Sequence, residues 1–472
     1  MNPIPLLGLV AALVLLGGCV PKTDTAVPLS LMQINTDLEK EIASFDQASL
    51  WEEWWRGYGD PQLNTIMTDA LEHAPSLKSI QARYAQAESL IRSTESRNLP
   101  NVSADAGVLR ERFSENHIFP APLGGSANTL YHPSLGLRYD FDFWNARASR
   151  INAAKNGAYA QRAYLSAARL TLSNAICETY LAWHYDEEKR RVLDALEQSA
   201  LEELSIVRRQ YALGLRNGTD VRESEQKHAR IQQRIAAQGV LIEGRKKSLC
   251  VLAGFLPSHA SELTVPRVSG AFRAPIPKEI VLNLLSRRPD IAVAKYTLLS
   301  KGYGIEHAKA QFYPNIVLSG NLGFTSFQRS SLFEYASATP GIGIALSLPL
   351  FDGGEREANL QNATSDYNAS VYDYNEAVIN AANEVVGLLK QSGEFEEQIR
   401  FHREELVSRG MNERAARKKH LLGLSDKLPY LARKSEVLEG ELNALELATY
   451  QSSLQIALIR SLGGGYREGK EE

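Results

Sequence analysis

Beyond its first twenty residues this chain has no run of about 18 apolar residues, so nothing after the N-terminus can cross a bilayer as a helix. Charge of one sign is missing too: 52 Lys and Arg face 55 Asp and Glu, and a net charge of -3 argues against nucleic acid as a partner. No metal-ligand cluster, Ser-His-Asp arrangement or phosphate loop stands out. Gly124-Gly125 and Gly463-Gly464-Gly465 lack the strand and helix context that a nucleotide loop demands. An enzyme is therefore not expected, and neither catalytic residues, a metal nor any other cofactor is assigned. Proline is absent for about 68 residues after Gly354, far longer than the helix mean of about 12 residues. One very long helix fits that stretch.

What the chain does contain is a strand pattern that feeds into such helices, twice. Ile342, Ile344, Leu346, Leu348 and Leu350 alternate with small residues before Phe351-Asp352-Gly353-Gly354. Earlier, Leu135, Leu137, Tyr139, Phe141 and Phe143 alternate with polar or small residues and lead through Trp144 into a helical run. Both long runs end in similar words, Tyr211-Ala212-Leu213-Gly214-Leu215 and His420-Leu421-Leu422-Gly423-Leu424, and each is followed by a shorter helical run. Upstream, Leu99-Pro100-Asn101-Val102 is echoed by Tyr313-Pro314-Asn315-Ile316. The pattern predicts a tandem repeat with a period of about 210 residues. Residues 51–260 form the first repeat, with strands at 101–112 and 134–143, a long helix at 145–213 and a returning helix at 219–253. After a linker at 261–278, the second repeat at 279–466 has strands at 315–325 and 341–350, a long helix at 355–422 and a returning helix at 427–462, and a tail at 467–472 closes the chain.

The N-terminus, Ile4 to Leu16, is an apolar core followed by Gly17-Gly18-Cys19. It reads as a signal peptide, residues 1–18, ending in a lipobox, with Cys19 as the lipidated residue and 19–50 as a tether. Trp51, Trp54 and Trp55 mark the start of compact structure and read as packing, and Asp60 before Pro61 reads as a helix N-cap. Cys177 and Cys250 flank the Leu213-Gly214 turn symmetrically; a disulfide and two buried free thiols both fit them.

Strands of about 10 residues match a tilted strand that crosses a bilayer, yet four of them cannot close a barrel, whose smallest common form has about eight. The missing strands must come from other copies, and three copies supply twelve. In that arrangement Asp105, Arg138, Asp140 and Asp142 line a wet lumen, while Leu135, Leu137, Tyr139, Ile342, Ile344 and Leu346 face acyl chains. The expected fold is mixed but mostly α: a long coiled-coil tunnel joined to a trimeric barrel of twelve strands, four from each chain.

The lipobox, the tryptophan-rich start, Asp60-Pro61-Gln62-Leu63, Arg287-Arg288-Pro289-Asp290-Ile291, Leu348-Pro349-Leu350-Phe351-Asp352-Gly353-Gly354 and Leu462-Gly463-Gly464-Gly465-Tyr466 together resemble the outer membrane factor family of TolC, OprM and NodT. The resemblance implies a homotrimeric channel in the outer membrane, in contact with its lipid and reaching into the periplasm. It also implies a periplasmic adaptor and an inner-membrane transporter of the major-facilitator or resistance-nodulation type, working in drug efflux. A type I protein secretion channel would share the fold, and a structural envelope lipoprotein is the rival from another class. In the family pattern an Asp follows the first turn glycine by six residues, which Asp220 matches. After Gly423 the corresponding positions hold Ser425, Pro429 and Ala432, so the basic lock and both gate carboxylates are absent. The periplasmic gate is accordingly assigned to Asp220, Arg216, Asp426 and Lys427, with Asp220 pairing to Lys427 or Arg216 of a neighbouring hairpin. The adaptor contacts are assigned to Gly214, Leu215, Gly423 and Leu424.

Overall fold

The computed structural model describes residues 53–116, 118, 120–268 and 287–466. Cys19, the signal segment, the 19–50 tether, most of the linker and the 467–472 tail lie outside the described residues. The elements run α1 Pro61–His73, α2 Pro75–Ser96, β1 Asn101–Arg112, β2 Ala127–Phe141, α3 Ala146–Ala212, α4 Gly218–Ala253, α5 Pro289–Ala310, β3 Asn315–Phe324, β4 Ala338–Ser347, α6 Glu355–Leu421 and α7 Leu428–Ser461. Helix is the main content, and α3 and α6 are each 67 residues long. At 1.5 Å per residue each spans roughly 100 Å.

Two compact units share the chain, and neither coincides with a sequence repeat. Of the described residues, one takes Tyr84–Gln161 and Ala294–Tyr374; the other takes 53–83, those from Arg162 to Val293 and those from Asn375 onward.

The first unit holds the sheet, an antiparallel meander in the order β1-β2-β3-β4. β2 begins at Ala127, not at residue 134 as the alternation predicted, and the preceding loop is correspondingly shorter. Pro133 hid the extension, because a proline cannot donate to a ladder and reads as a strand boundary. Here Asn128 to His132 pair with Glu111 to Gly107, and the strand runs straight through the proline. β4 is displaced the same way: it runs Ala338–Ser347 rather than 341–350, and Thr339 and Pro340 already pair with Gly323 and Leu322.

The second unit is built around an aromatic core. Trp54, Trp55 and Tyr58 are buried with Leu63, Met67, Ile176, Tyr180, Trp183, Leu249 and Ile459, so Trp54 and Trp55 are packing residues, while Trp51 lies outside the described residues. Asp60, also buried, caps α1 by accepting from the Gln62 N–H at 2.9 Å, and it accepts further bonds from the Tyr180 hydroxyl and the Arg267 N–H, both at 2.7 Å. Cys177 and Cys250 are buried free thiols, not a disulfide, and burial pushes the Cys177 thiol well up.

Candidate functional site

Side chains opposite one another on neighbouring strands share a face, so the register sorts every strand residue. One face carries the rungs Val102, Leu137, Gly320, Ile342 and Ala104, Leu135, Leu322, Pro340, with Tyr139, Ile344 and Leu346 continuing it. The other carries Asn101, Arg138, Ser319, Gly343 and Asp105, Ser134, Gly323, Thr339, with Asp140 beyond them. The apolar face is bare within one chain: Val102 is 68% exposed, Leu135 51%, Ile342 85% and Ile344 73%. A patch of this size on a single sheet marks a surface built to meet something apolar. Among the described residues β1 and β4 are the outer strands, and each offers an unpaired edge.

Of the four residues assigned to the polar face, Asp105, Arg138 and Asp140 are on it. Asp105 accepts from the Ser103 hydroxyl at 3.1 Å, and Arg138 pairs with Asp140 at 3.0 Å. Asp142 is a correction. It lies one residue past the end of β2, and its carboxylate accepts from the backbone N–H groups of Arg147 and Ala148 at 2.9–3.1 Å. Those donors are among the four that the start of a helix leaves free, so Asp142 serves the beginning of α3. Asp352 does the same before α6, accepting from the N–H groups of Gly354 and Arg356. Sequence reasoning passed over Arg147, which pairs with Asp140 at 2.6 Å and draws the strand end and the helix start together. No periodicity links those two positions.

The helix ends repeat one geometry. Gly214 and Gly423 have φ of 75° and 71°, the left-handed region that glycine enters without strain. After α3, Gly214 donates to the Tyr211 carbonyl and Leu215 to Gln210; after α6, Gly423 donates to His420 and Leu424 to Lys419. Both are Schellman closures, which satisfy the carbonyls that a helix end strands. Leu215 and Leu424 project beyond them, 71% and 74% exposed.

Within the chain the charged residues near the turns are held locally. Asn217 is the N-cap of α4; its side chain accepts from the N–H of Thr219 and of Asp220, and Asp220 accepts in return from the Asn217 N–H. This capping box was legible in the Asn-x-x-Asp spacing, since a short acceptor at N-cap and a carboxylate three residues on form its sequence form. Arg216 lies 3.8 Å from Asp220 in the same turn and donates to Gln210 at 2.8 Å. Lys427 pairs with Glu202 of its own chain, and Asp426 is exposed. Pro429, where the family pattern has a gate carboxylate, lies in the first turn of α7, a place that suits proline because no hydrogen bond is lost there.

A bare apolar sheet face, a polar reverse, open edges and two 67-residue helices together are the features of an outer-membrane channel subunit. The model of the outer membrane efflux protein family matches residues 66–239 and 281–464, and the chain belongs to that family. It is 26% identical over 482 residues to the putative multidrug resistance outer membrane protein MdtQ of Escherichia coli K12, covering 96% of this chain and 97% of that protein. It is 28% identical over 373 residues to the fusaric acid resistance protein FusA of Burkholderia cepacia, covering 76% of this chain and 69% of that one. Among solved structures, the outer membrane protein VceC of Vibrio cholerae superposes with a TM-score of 0.80 at 26% identity, covering 88% of this chain and 99% of its own. The CmeC outer membrane channel of Campylobacter jejuni shares the fold, with a TM-score of 0.82 at 22% identity over 90% of each chain. The protein is an outer-membrane efflux channel component.

Proposed function

We propose that three copies join β1 of one to β4 of the next, closing a barrel of twelve strands, and that their long helices form a tunnel of twelve helical segments. The exposure of the Val102, Leu135, Ile342 and Ile344 face beside two unpaired edges carries this reading. In lipid every backbone N–H and C=O must be satisfied within protein, so an open four-stranded sheet needs partners. The polar reverse, with Asp105, Arg138 and Asp140, then lines the lumen. Drugs or other small toxic compounds pass through it from a periplasmic adaptor, driven by an inner-membrane transporter of the major-facilitator or resistance-nodulation type.

The Gly214-Leu215 and Gly423-Leu424 turns are the surface offered to the adaptor. Arg216, Asp220, Asp426 and Lys427 provide the charge at the closed end. Since Asp220 is held in a capping box and Lys427 by Glu202, ion pairs of this exposed kind, worth about 0–1 kcal/mol each, leave the apolar turns as the main closure. Cys19 is the proposed lipid anchor, and mass spectrometry of the native N-terminal peptide should show it lipid-modified and at the mature N-terminus.

Two measurements test the whole: the mass of the detergent-solubilised protein and its conductance in planar bilayers. A mass near three chains and discrete channel openings are expected. A stable monomer that keeps its strand signal in circular dichroism would refute the shared barrel.

A further inference from the structure

At the foot of the polar face the structure holds a cavity of about 350 Å³, lined by Arg97, Arg138, Arg147 and Arg150 with Asp140 as the one carboxylate among them. Asp140 is fully used: its Oδ1 accepts from Arg138 at 3.0 Å and its Oδ2 from Arg147 at 2.6 Å. Arg147 is held in place by two further bonds, from its Nη1 to the backbone carbonyls of Arg97 and Asp140, each at 2.9 Å. Asp142, the next acidic residue, is turned into the start of α3. Glu95, the acid on the neighbouring helix, pairs with Lys155 at 3.3 Å. The side chains of Arg97 and Arg150 have no hydrogen bond or ion pair among the described residues, and both residues are exposed.

A second feature is independent of the cavity count. The first turn of α3 contains no acidic residue and carries Arg147, with Arg150 directly after it. The positive end of a helix dipole disfavours cations, and this is a 67-residue helix. Asp142 caps the first N–H groups of α3 and Asp140 pairs with Arg147, but Arg150 faces no acid among the described residues, and a cation left so at a helix start marks a candidate functional site. With Asp140 taken by Arg138 and Arg147 and Asp142 by the helix start, the guanidinium groups of Arg97 and Arg150 relieve their repulsion by taking an anion. The guanidinium fork presents paired N–H groups that match carboxylate, sulfonate or phosphate oxygens.

We propose that this cavity binds the oxyanion group of anionic solutes and gives the lumen a preference for anions at that level, as rings of basic side chains do in anion pores. The proposal rests on the assignment of the polar face to the lumen, and two experiments separate the failure of one from that of the other. In planar bilayers under a KCl gradient, the reversal potential of the Arg97→Gln/Arg150→Gln variant should move toward the cation side relative to the parent, whereas Lys155→Gln, outside the cavity, should leave it in place. An unchanged reversal potential in a conducting variant overturns the proposal while the channel stands. In the second experiment, equilibrium dialysis of the detergent-solubilised protein against radioactive sulfate needs no pore. The double variant should bind sulfate about tenfold more weakly, the order given by losing charge-assisted hydrogen bonds. Equal sulfate binding in parent and variant overturns the proposal whether or not a pore forms. A variant that matches the parent in both readouts, but whose trimer dissociates more readily, would make the arginines a dock for a neighbouring copy's carboxylates, which also overturns it.

Discussion

Single buried polar residues hold much of this chain's architecture, and Arg288 shows how. It is 8% exposed, and its guanidinium donates to both oxygens of Asp290 at 2.8 and 3.1 Å, to Glu384 at 2.9 Å and to the Ser461 carbonyl at 2.9 Å. One side chain thus ties the start of α5 to α6 and to the end of α7, which explains why Arg288-Pro289-Asp290 reads as a motif. Burial alone would raise the Asp290 carboxyl, but the hydrogen bond and charge of Arg288, with the Ile291 N–H, outweigh it and hold it below its ordinary value of 3.8. A depressed carboxylate contributes stability above its unfolded pKa and loses it as pH falls through the folded value. Asp290→Asn should therefore lower the melting temperature in detergent at pH 7, and the gap to the parent should narrow as pH drops below about 3.8. A gap that is constant from pH 7 to pH 3 would exclude the ionised pair as its source. Arg288→Ala, which strands two acids and a carbonyl, should cost about 2 kcal/mol at neutral pH, measured by the same melts.

The helix ends are where elements are specified, and their glycines fall into two kinds. A Cβ on Gly214 or Gly423 would meet nothing within 4 Å, so Ala at either position is opposed only by its positive φ, at about 1–2 kcal/mol. On Gly463 a Cβ would strike the Arg287 carbonyl, and on Gly464 the Leu170 side chain, with φ of 88° and 56° besides. Gly463→Ala should accordingly lower the melting temperature clearly more than Gly214→Ala; equal losses would show that backbone strain alone governs both. The two cases also mark how far sequence carries. Long helices, their turn words and the apolar alternation of Leu135, Leu137 and Tyr139 or Ile342, Ile344 and Leu346 were legible because period and punctuation are local. Asp142 was not, because a polar residue one step beyond a strand continues its alternation while its carboxylate already belongs to the next helix. The pairing of Lys427 with Glu202 and the gathering of Arg97, Arg138, Arg147 and Arg150 were closed to sequence for a different reason. Residues far apart in the chain meet only once the strands and helices are placed.

For the whole assembly, the decisive property is which face of the sheet meets lipid. Ile344 pairs across β3 with Leu318 on the apolar face, and the next rung, Ser319 with Gly343, is on the polar one. Ser319 and Ile344 therefore sit at nearly the same depth, so a lysine at each compares the two faces with depth held constant. On a lipid-facing strand a Lys near the bilayer midplane costs about 2–4 kcal/mol per chain, whereas a lumen position admits charge and alters conduction. In the proposed ring of three chains every copy carries the substitution, which multiplies the first cost. Ile344→Lys should sharply reduce the fraction of trimer recovered from the outer membrane. Ser319→Lys should give near-parental trimer whose single-channel conductance or ion preference differs from that of the parent. Recovery of Ile344→Lys trimer equal to that of Ser319→Lys would mean that the apolar face is covered by protein. A twelve-stranded barrel with Leu135, Leu137, Ile342 and Ile344 toward lipid would then be the wrong closure for this sheet.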